Sequence, residues 1–399
     1  MNKAELFVQE LSKNIFLSMW GCPNPQGKEK GKELCDFLVV CDPNVIIFSV
    51  KEIEFNDSGN PQLSANRWRK KAIDDSVKQL YGAERFIKGS TRVITGNGKD
   101  WLLLPELSAR KIFRIAVALG SKGQAPISSM NFGKGFVHVF DEISFMVIMQ
   151  ELDTINDFVD YLKAKEELFE RKTALTLLGA EEDLIAIYLH KGRSFPVSTV
   201  DVVVIDRGMW QDFLKKPEYL RKKEEDKISY AWDQLIETFC KDFYNGNLEV
   251  GGSLDEIEET FRVMARENRF NRRLLAKNYM DLLVNGKAQS IRARKLQSPS
   301  KVVYIFSIYP KGEDRQYRRA DLGNRCFVAR GITPGCDTVI GIATEAYEGK
   351  PGFSLDAFYF YRPIWTEEDQ SYIEKMQKEF NYFVAPKITM VSETEYPQN

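Results

Sequence analysis

The chain is short of the residues that build thiolate and imidazole metal sites. It holds six cysteines in 399 residues, none in a C-x-x-C pair, and its only histidines are His138 and His190. A structural zinc site is not expected from that supply. Scattered cysteines in a chain of this size suit a reducing compartment. A strong charge of one sign is also missing. The net charge is -1, so no global basic field advertises nucleic acid, and any such surface must be local. Long apolar runs are absent too: the longest are strand-length, far below the roughly 20 residues that span a bilayer. Met1 to Asn14 carries Glu5, Glu10 and two lysines where a secretory leader needs an apolar core. The expectation is a cytoplasmic protein with no membrane partner. No internal repeat or low-complexity tract is present.

What remains is an ordinary globular composition, 43% hydrophobic and 28% charged, long enough for two or three domains at about 100–200 residues each. Leu6, Phe7, Leu11, Ile15 and Phe16 recur at helical spacing over residues 3–19. A β hairpin follows at 36–41 and 45–55. Its second strand is apolar on both faces up to Phe48, as a central strand would be. The spacing of Trp68, Ala72, Ile73, Val77 and Leu80 predicts a helix over 66–89. Ile112–Leu119 and Phe136–Phe140 read as further strands. Thr154, with Asp157 three residues on, reads as an N-cap approximating a capping box, opening a helix over 155–173. Residues 180–290 look largely helical, interrupted by a β-rich run at Val200–Ile205. The charged run Lys215–Lys227 reads as an exposed loop or helix end. From Val302 onward the pattern turns β-rich, at Val302–Ile308, Cys326–Ala329 and Val339–Thr344. The fold class is α/β, divided as 1–145, a largely helical region 146–300, and a β-rich region 301–399 packed with it.

The chemistry sits on the first hairpin. Its strands read Glu33-Leu34-Cys35-Asp36-Phe37-Leu38-Val39-Val40 and Val45-Ile46-Ile47-Phe48-Ser49-Val50-Lys51, joined by a turn at Asp42-Pro43-Asn44. Side chains alternate along a strand, so Ser49 and Lys51 share one face while Glu52 and Glu54 take the other. Asp36 opens the partner strand and can reach the same edge. Phosphodiester hydrolysis is helped by a cation that polarises the phosphate and lowers the pKa of a water. Magnesium takes oxygen ligands and usually only one or two protein carboxylates. A lysine can orient the water or offset developing charge. Asp36, Glu33 and Lys51 supply those parts.

In Glu33-Leu34-Cys35-Asp36 and Ser49-Val50-Lys51, with Lys78-Gln79-Leu80-Tyr81 on the following helix, the chain resembles the PD-(D/E)XK, or restriction-endonuclease-like, superfamily, near its nuclease-related and Mrr-like branches. The resemblance covers about residues 1–120. It implies an N-terminal restriction-endonuclease-like mixed sheet flanked by helices, beside a C-terminal mixed α/β domain. It also implies Mg2+- or Mn2+-dependent cleavage of nucleic acid, DNA foremost, with bacterial defence as the setting by analogy. Asp36, Lys51, Glu33, Ser49 and Gln79 become the candidate catalytic residues. Asp36, Glu33 and Glu10 of the first helix become the candidate metal ligands. Read alone, Gln79 is a surface helix residue. Ser49 departs from the pattern, because most members carry Glu, Asp or Gln there and a hydroxyl is a poor magnesium ligand. The alternative is a catalytically silent nuclease-like domain that binds nucleic acid or protein.

Two further groups invite a reading. Arg262, Arg266, Arg269 and Arg273 fall at helical spacing on one face. They could contact phosphates without reading sequence, or pair with Asp255, Glu258, Glu259 and Glu267. The C-terminal half is also where a protein partner or a second copy of the chain would dock. Asp153, Asp157 and Asp160 have a metal-like spacing, but a capped, solvated helix face accounts for them. His138 and His190 read as structural.

Overall fold

The hairpin seen in the sequence becomes the centre of a six-stranded mixed sheet. The computed structural model describes residues 3–27, 31–96, 98, 100–125, 127–171, 174–195, 202–249, 251, 253–284, 290–346, 354–388 and 393–397. These form two compact units, Met1–Leu220 and Arg221–Asn399, whose boundary falls inside the segment read as largely helical. The whole is mixed α/β, as the sequence implies. Among the described residues no helix is long and apolar enough to cross a membrane.

In the first unit, helix α1 (Lys3–Trp20) leads into β1 (Gly21–Pro23), β2 (Phe37–Cys41) and β3 (Asn44–Glu52). Next come α2 (Pro61–Arg69), a wide π turn at Lys70–Asp74, and α3 (Asp75–Lys88). After the short strands β4 (Arg92–Ile94) and β5 (Trp101–Leu103) come β6 (Lys111–Leu119), β7 (Met130–Asn131), β8 (Phe136–Phe140), α4 (Glu142–Glu151) and α5 (Ile155–Glu170). The sheet order is β1-β2-β3-β6-β8-β7. β1, β2 and β3 pair antiparallel, while β3, β6 and β8 run parallel.

Both faces of this sheet are covered, which is why β2 and β3 are apolar throughout. On one face Leu38, Val45, Ile47 and Ala118 pack with Trp68, Ile73, Val77, Leu80 and Ile87 of the α2–α3 segment. On the other, the Phe48 ring meets Phe16 of α1, Phe145 of α4 and Phe158 of α5, with centroids 6.0, 6.4 and 6.5 Å away. Strand parity therefore sends Ser49 and Lys51 toward α3. The helix expected over 66–89 starts earlier, at Pro61. Asn60 accepts from the Leu63 N–H and proline occupies the first turn, where its missing N–H costs nothing.

Thr154 caps α5 by accepting from the Asp157 N–H. The Asp157 side chain is buried and pairs with Arg193 at 2.6 Å, so only half of the approximated box forms. β9 (Ala174–Leu177), α6 (Glu181–His190), β10 (Val202–Ile205) and α7 (Met209–Leu214) complete this unit, β9 and β10 pairing in parallel. Val200 and Asp201 of the interrupting run lie outside the described residues. Most of the charged run Lys215–Lys227 forms a helix, α8 (Pro217–Asp226), which buries Tyr219, Lys222 and Asp226.

The second unit carries α9 (Tyr230–Tyr244), α10 (Leu254–Ala265), α11 (Arg269–Val284), β11 (Arg292–Gln297), β12 (Val302–Tyr309), α12 (Arg315–Gly331), β13 (Thr338–Glu345), β14 (Leu355–Tyr361) and α13 (Glu367–Phe380). Its sheet order is β11-β12-β13-β14, with only β12 and β13 parallel, joined through α12. The β reading of Cys326–Ala329 is corrected here: those residues lie inside α12. Leu322, Cys326 and Ala329 recur at helical spacing and bury against Val339 and Ala343 of β13.

At the β14 edge, the buried Asp356 carboxylate accepts from Arg315, Arg318 and Arg319 at 3.1, 2.6 and 3.0 Å. Burial pushes this carboxyl up, but the Arg319 hydrogen bond and the Arg318 and Arg315 guanidiniums outweigh it and hold the group below the usual carboxylate range. The unfolded chain then binds the proton more tightly, so stability rises with pH. The contribution is fully present above the unfolded value near 3.9 and is lost as pH falls below it, toward the folded value. Denaturant melts between about pH 5 and 2.5 should show that slope, and Asp356→Asn should flatten it.

Candidate active site

Asp36 stands just before β2, held there by its own backbone N–H, which donates to the Phe48 carbonyl at 3.1 Å. That pairing places it opposite Ser49, on the sheet face that α3 covers. The Asp36 carboxylate is nearly buried and accepts from the Val50 N–H on one oxygen. Its other oxygen faces the Gln79 Nε2 at 3.5 Å. The fully buried Ser49 hydroxyl donates to Gln79 Oε1 at 2.9 Å. Gln79 is thus gripped at both ends of its amide, acceptor toward Ser49 and donor toward Asp36. The serine at position 49 has a local use: its hydroxyl fixes which way the carboxamide points.

Lys51, half-buried, follows two residues along the same face. Burial pushes the Asp36 carboxyl up, opposed by the Val50 N–H, the Lys51 charge and Gln79, and reinforced by Glu5. Glu33 is also raised, by partial burial and then by the charges of Asp36 and Glu5, with Lys51 opposing. Hydrogen bonds join Asp36, Ser49 and Gln79, while Glu33 and Lys51 act on Asp36 or on each other through their charge, as does Glu5, which the sequence reading did not name. Glu10 is exposed, and the side-chain charges that weigh most on Asp36 and Glu33 are those of Lys51 and Glu5, with Asp36 also acting on Glu33. Five residues along a helix turn through about 500°, so two acids at that spacing point about 140° apart. The available signal was the buried stripe of α1. Glu5 adjoins Ala4 and Val8, which are buried, whereas Glu10 lies off that stripe.

Among the described residues, no group of three or more His, Cys, Asp or Glu side chains lies close enough to hold a metal ion. Asp36, Glu33 and Glu5, whose charges act on one another, offer oxygen donors that suit a hard dication better than a soft one. The Asp36 charge raises the proton affinity of Glu33, and the Glu5 charge that of both, a strain that a cation relieves. The neighbouring Cys35 is fully buried and its thiol is pushed far up, first by burial, so it offers no thiolate.

His138 is buried, with its Nε2 3.0 Å from Glu166, away from this group. Burial and then the Lys165 charge push its pKa far down, so the ring is neutral. Asp160 pairs with Lys163 on the surface, but Asp153 and Asp157 are buried, Asp157 against Arg193, so the solvated face read for this spacing is corrected at those two positions.

The arginine stripe is not formed. α10 ends at Ala265 and α11 begins at Arg269, so the four residues do not share one helix face. Arg262 pairs with Glu258 and Glu259 at 2.6 and 2.8 Å. Arg266 lies 3.5 Å from Glu259. Arg269 is buried against Asp233 at 2.8 Å. Arg273, also buried, binds Asp226 at 3.2 Å and the Thr394 carbonyl at 2.7 Å. The Asp255 side chain lies outside the described residues.

Comparison with family models, with curated proteins and with solved structures gives no match to this chain.

Proposed function

We propose that the first unit hydrolyses phosphodiesters of nucleic acid, DNA foremost, with Mg2+ or Mn2+ as cofactor. The observation that carries this reading is the nearly buried Asp36 carboxylate, with Gln79 locked between it and Ser49 and with Lys51 two residues beyond Ser49 on the same strand face. Asp36 and Glu33 would hold the cation, with Glu5 within reach of their charge. When bound, the cation would polarise the phosphate and acidify a water. Lys51 would orient that water or offset charge on the phosphate oxygens. The Gln79 carboxamide, donating toward Asp36, would keep the carboxylate in place. A cytoplasmic location and a role in defence rest on the family resemblance alone.

The second reading is a silent nuclease-like module that binds nucleic acid or protein. It is favoured by Ser49 in place of a third acid. The test is cleavage of plasmid, linear and single-stranded DNA with Mg2+, Mn2+ or chelator. Cleavage that depends on the metal supports the enzyme. Binding without cleavage in every condition supports the module.

Ser49 gives a graded expectation. A net hydrogen bond is worth about 1 kcal/mol, so Ser49→Ala should slow cleavage about fivefold rather than abolish it. Single-turnover rates at saturating metal would measure this. An unchanged rate would show that holding Gln79 does not matter to the chemistry.

A further inference from the structure

The buried arginines of the second unit leave open where a polyanion would lie, and the α2–α3 segment answers this within the first unit. Arg67, Arg69, Lys70 and Lys71 are all exposed. Among the described residues none of the four makes an ion pair. They flank Trp68, whose indole N–H donates to the Ile53 carbonyl at 2.7 Å. Ile53 is two residues past Lys51, and two residues of strand span only about 7 Å. The indole therefore pins the cationic end of α2 to the chain as it leaves the candidate site. On the strand side, Glu52 and Glu54 alternate with Lys51 and Ile53 and so leave on the other face, whereas Asp74 and Asp75 follow Lys71 on the helix itself.

Along the helix the order is Gln79, then Asp75 one turn back, then the π turn that carries Lys70 and Lys71, then Arg67. π turns recur at functional positions. Asp75 is taken by Lys78 at 2.9 Å, and its carboxyl is held down by that partner first and then by Lys70 and Lys51. Lys70 and Lys51 thus act on one and the same group.

We infer that Arg67, Lys70 and Lys71, with Arg69 beside them, form a ridge that carries the sugar–phosphate backbone of a nucleic acid toward Asp36 and Lys51. The inference rests on the nuclease reading for its direction but not for its test. Helix residues 67–71 rise only about 6 Å, so the ridge meets two or three consecutive phosphates. It reads charge, not base sequence. With a net charge of -1 on the whole chain, this local field is what would concentrate the polyanion.

The experiment uses the full chain in chelator, so that nothing is cut. Labelled duplex and single-stranded oligonucleotides of unrelated sequences are titrated at several salt concentrations. The wild type is compared with the triple variant Arg67→Gln, Lys70→Gln, Lys71→Gln. The three side chains are exposed, and a thermal melt checks that the variant is folded. The expected result is at least about tenfold weaker binding to every sequence and a log–log salt slope shallower by about 1.8–2.7 on duplex, or about 1.4–2.1 on single strands. Superimposable slopes would overturn the ridge, and so would a wild type that binds neither oligonucleotide. A separate assay with metal reports the nuclease reading. Binding that weakens as expected in a chain that never cuts keeps the ridge and removes the enzyme. Cutting with unchanged salt slopes does the reverse.

Discussion

Asp36→Asn is expected to reduce metal-dependent cleavage by at least about a thousandfold, about 4 kcal/mol at 1.36 kcal/mol per decade. Asparagine is the informative choice because its carbonyl oxygen can still accept the Val50 N–H that the aspartate accepts in the structure. The substitution then removes the negative charge while keeping the local hydrogen bond. Alanine would remove both, and any unfolding would obscure the chemistry. The measurement is the initial rate on linear DNA across a metal titration, alongside a thermal melt. An inactive, folded variant whose rate is not recovered at high metal places Asp36 among the groups that hold the cation. A folded variant with full activity would exclude it. Glu10→Gln serves as the internal comparison and should cut at the wild-type rate, because Glu10 lies on another face of α1.

Asp233→Ala is expected to destabilise the second unit by about 3–5 kcal/mol, the cost of stranding buried charge. Asp233 of α9 accepts from Arg269 at 2.8 Å and from Arg272 at 2.6 Å. Both guanidiniums belong to α11 and are 2% and 0% exposed. Arg272 also donates to the Glu267 and Ala265 carbonyls at 2.9 and 2.5 Å, so it cannot swing out to water without breaking the turn between α10 and α11. Removing this carboxylate takes away the acid that both buried guanidiniums share. For a unit of this size the midpoint should fall by roughly 10 °C. Urea unfolding followed by tryptophan fluorescence would report it, since Trp232 neighbours Asp233 and donates to the Met264 carbonyl at 3.2 Å. A loss under 1 kcal/mol would mean that the arginines find water or another acceptor, and would reopen the question of what they face.

The two substitutions also mark what could be read in the sequence. The hairpin was legible because two-sided burial writes an uninterrupted apolar run, and parity then fixes which residues share the α3 face. Asp36, Ser49 and Lys51 were found that way. Gln79 was legible only through the resemblance, because a glutamine on a helix carries no burial signal, and its bonds to Ser49 and Asp36 depend on how α3 lies across the sheet. Glu5 and Glu10 are the same residue type on the same helix, and only the direction of the buried stripe separates them. The arginine spacing misled for a different reason. Periodicity assumes one continuous helix, whereas the chain turns between Ala265 and Arg269, and charged residues held by internal carboxylates look like surface residues in a composition count. Cys326–Ala329 misled because four apolar residues fit a strand or one turn of a buried helix equally well.

The grip on Gln79 has a consequence for when the site comes into being. Its carboxamide reaches Asp36 across 43 positions of chain, and the hairpin's parallel partner β6 lies further on still. Loop closure over such spans must precede any local gain. During synthesis, a chain that has emerged only through the hairpin has both acids and the lysine but nothing to hold them in place. The acids become a working set only once α3 has closed over the sheet. On the proposed nuclease reading, topology would act as a safety catch, with no cutting expected until the unit is complete.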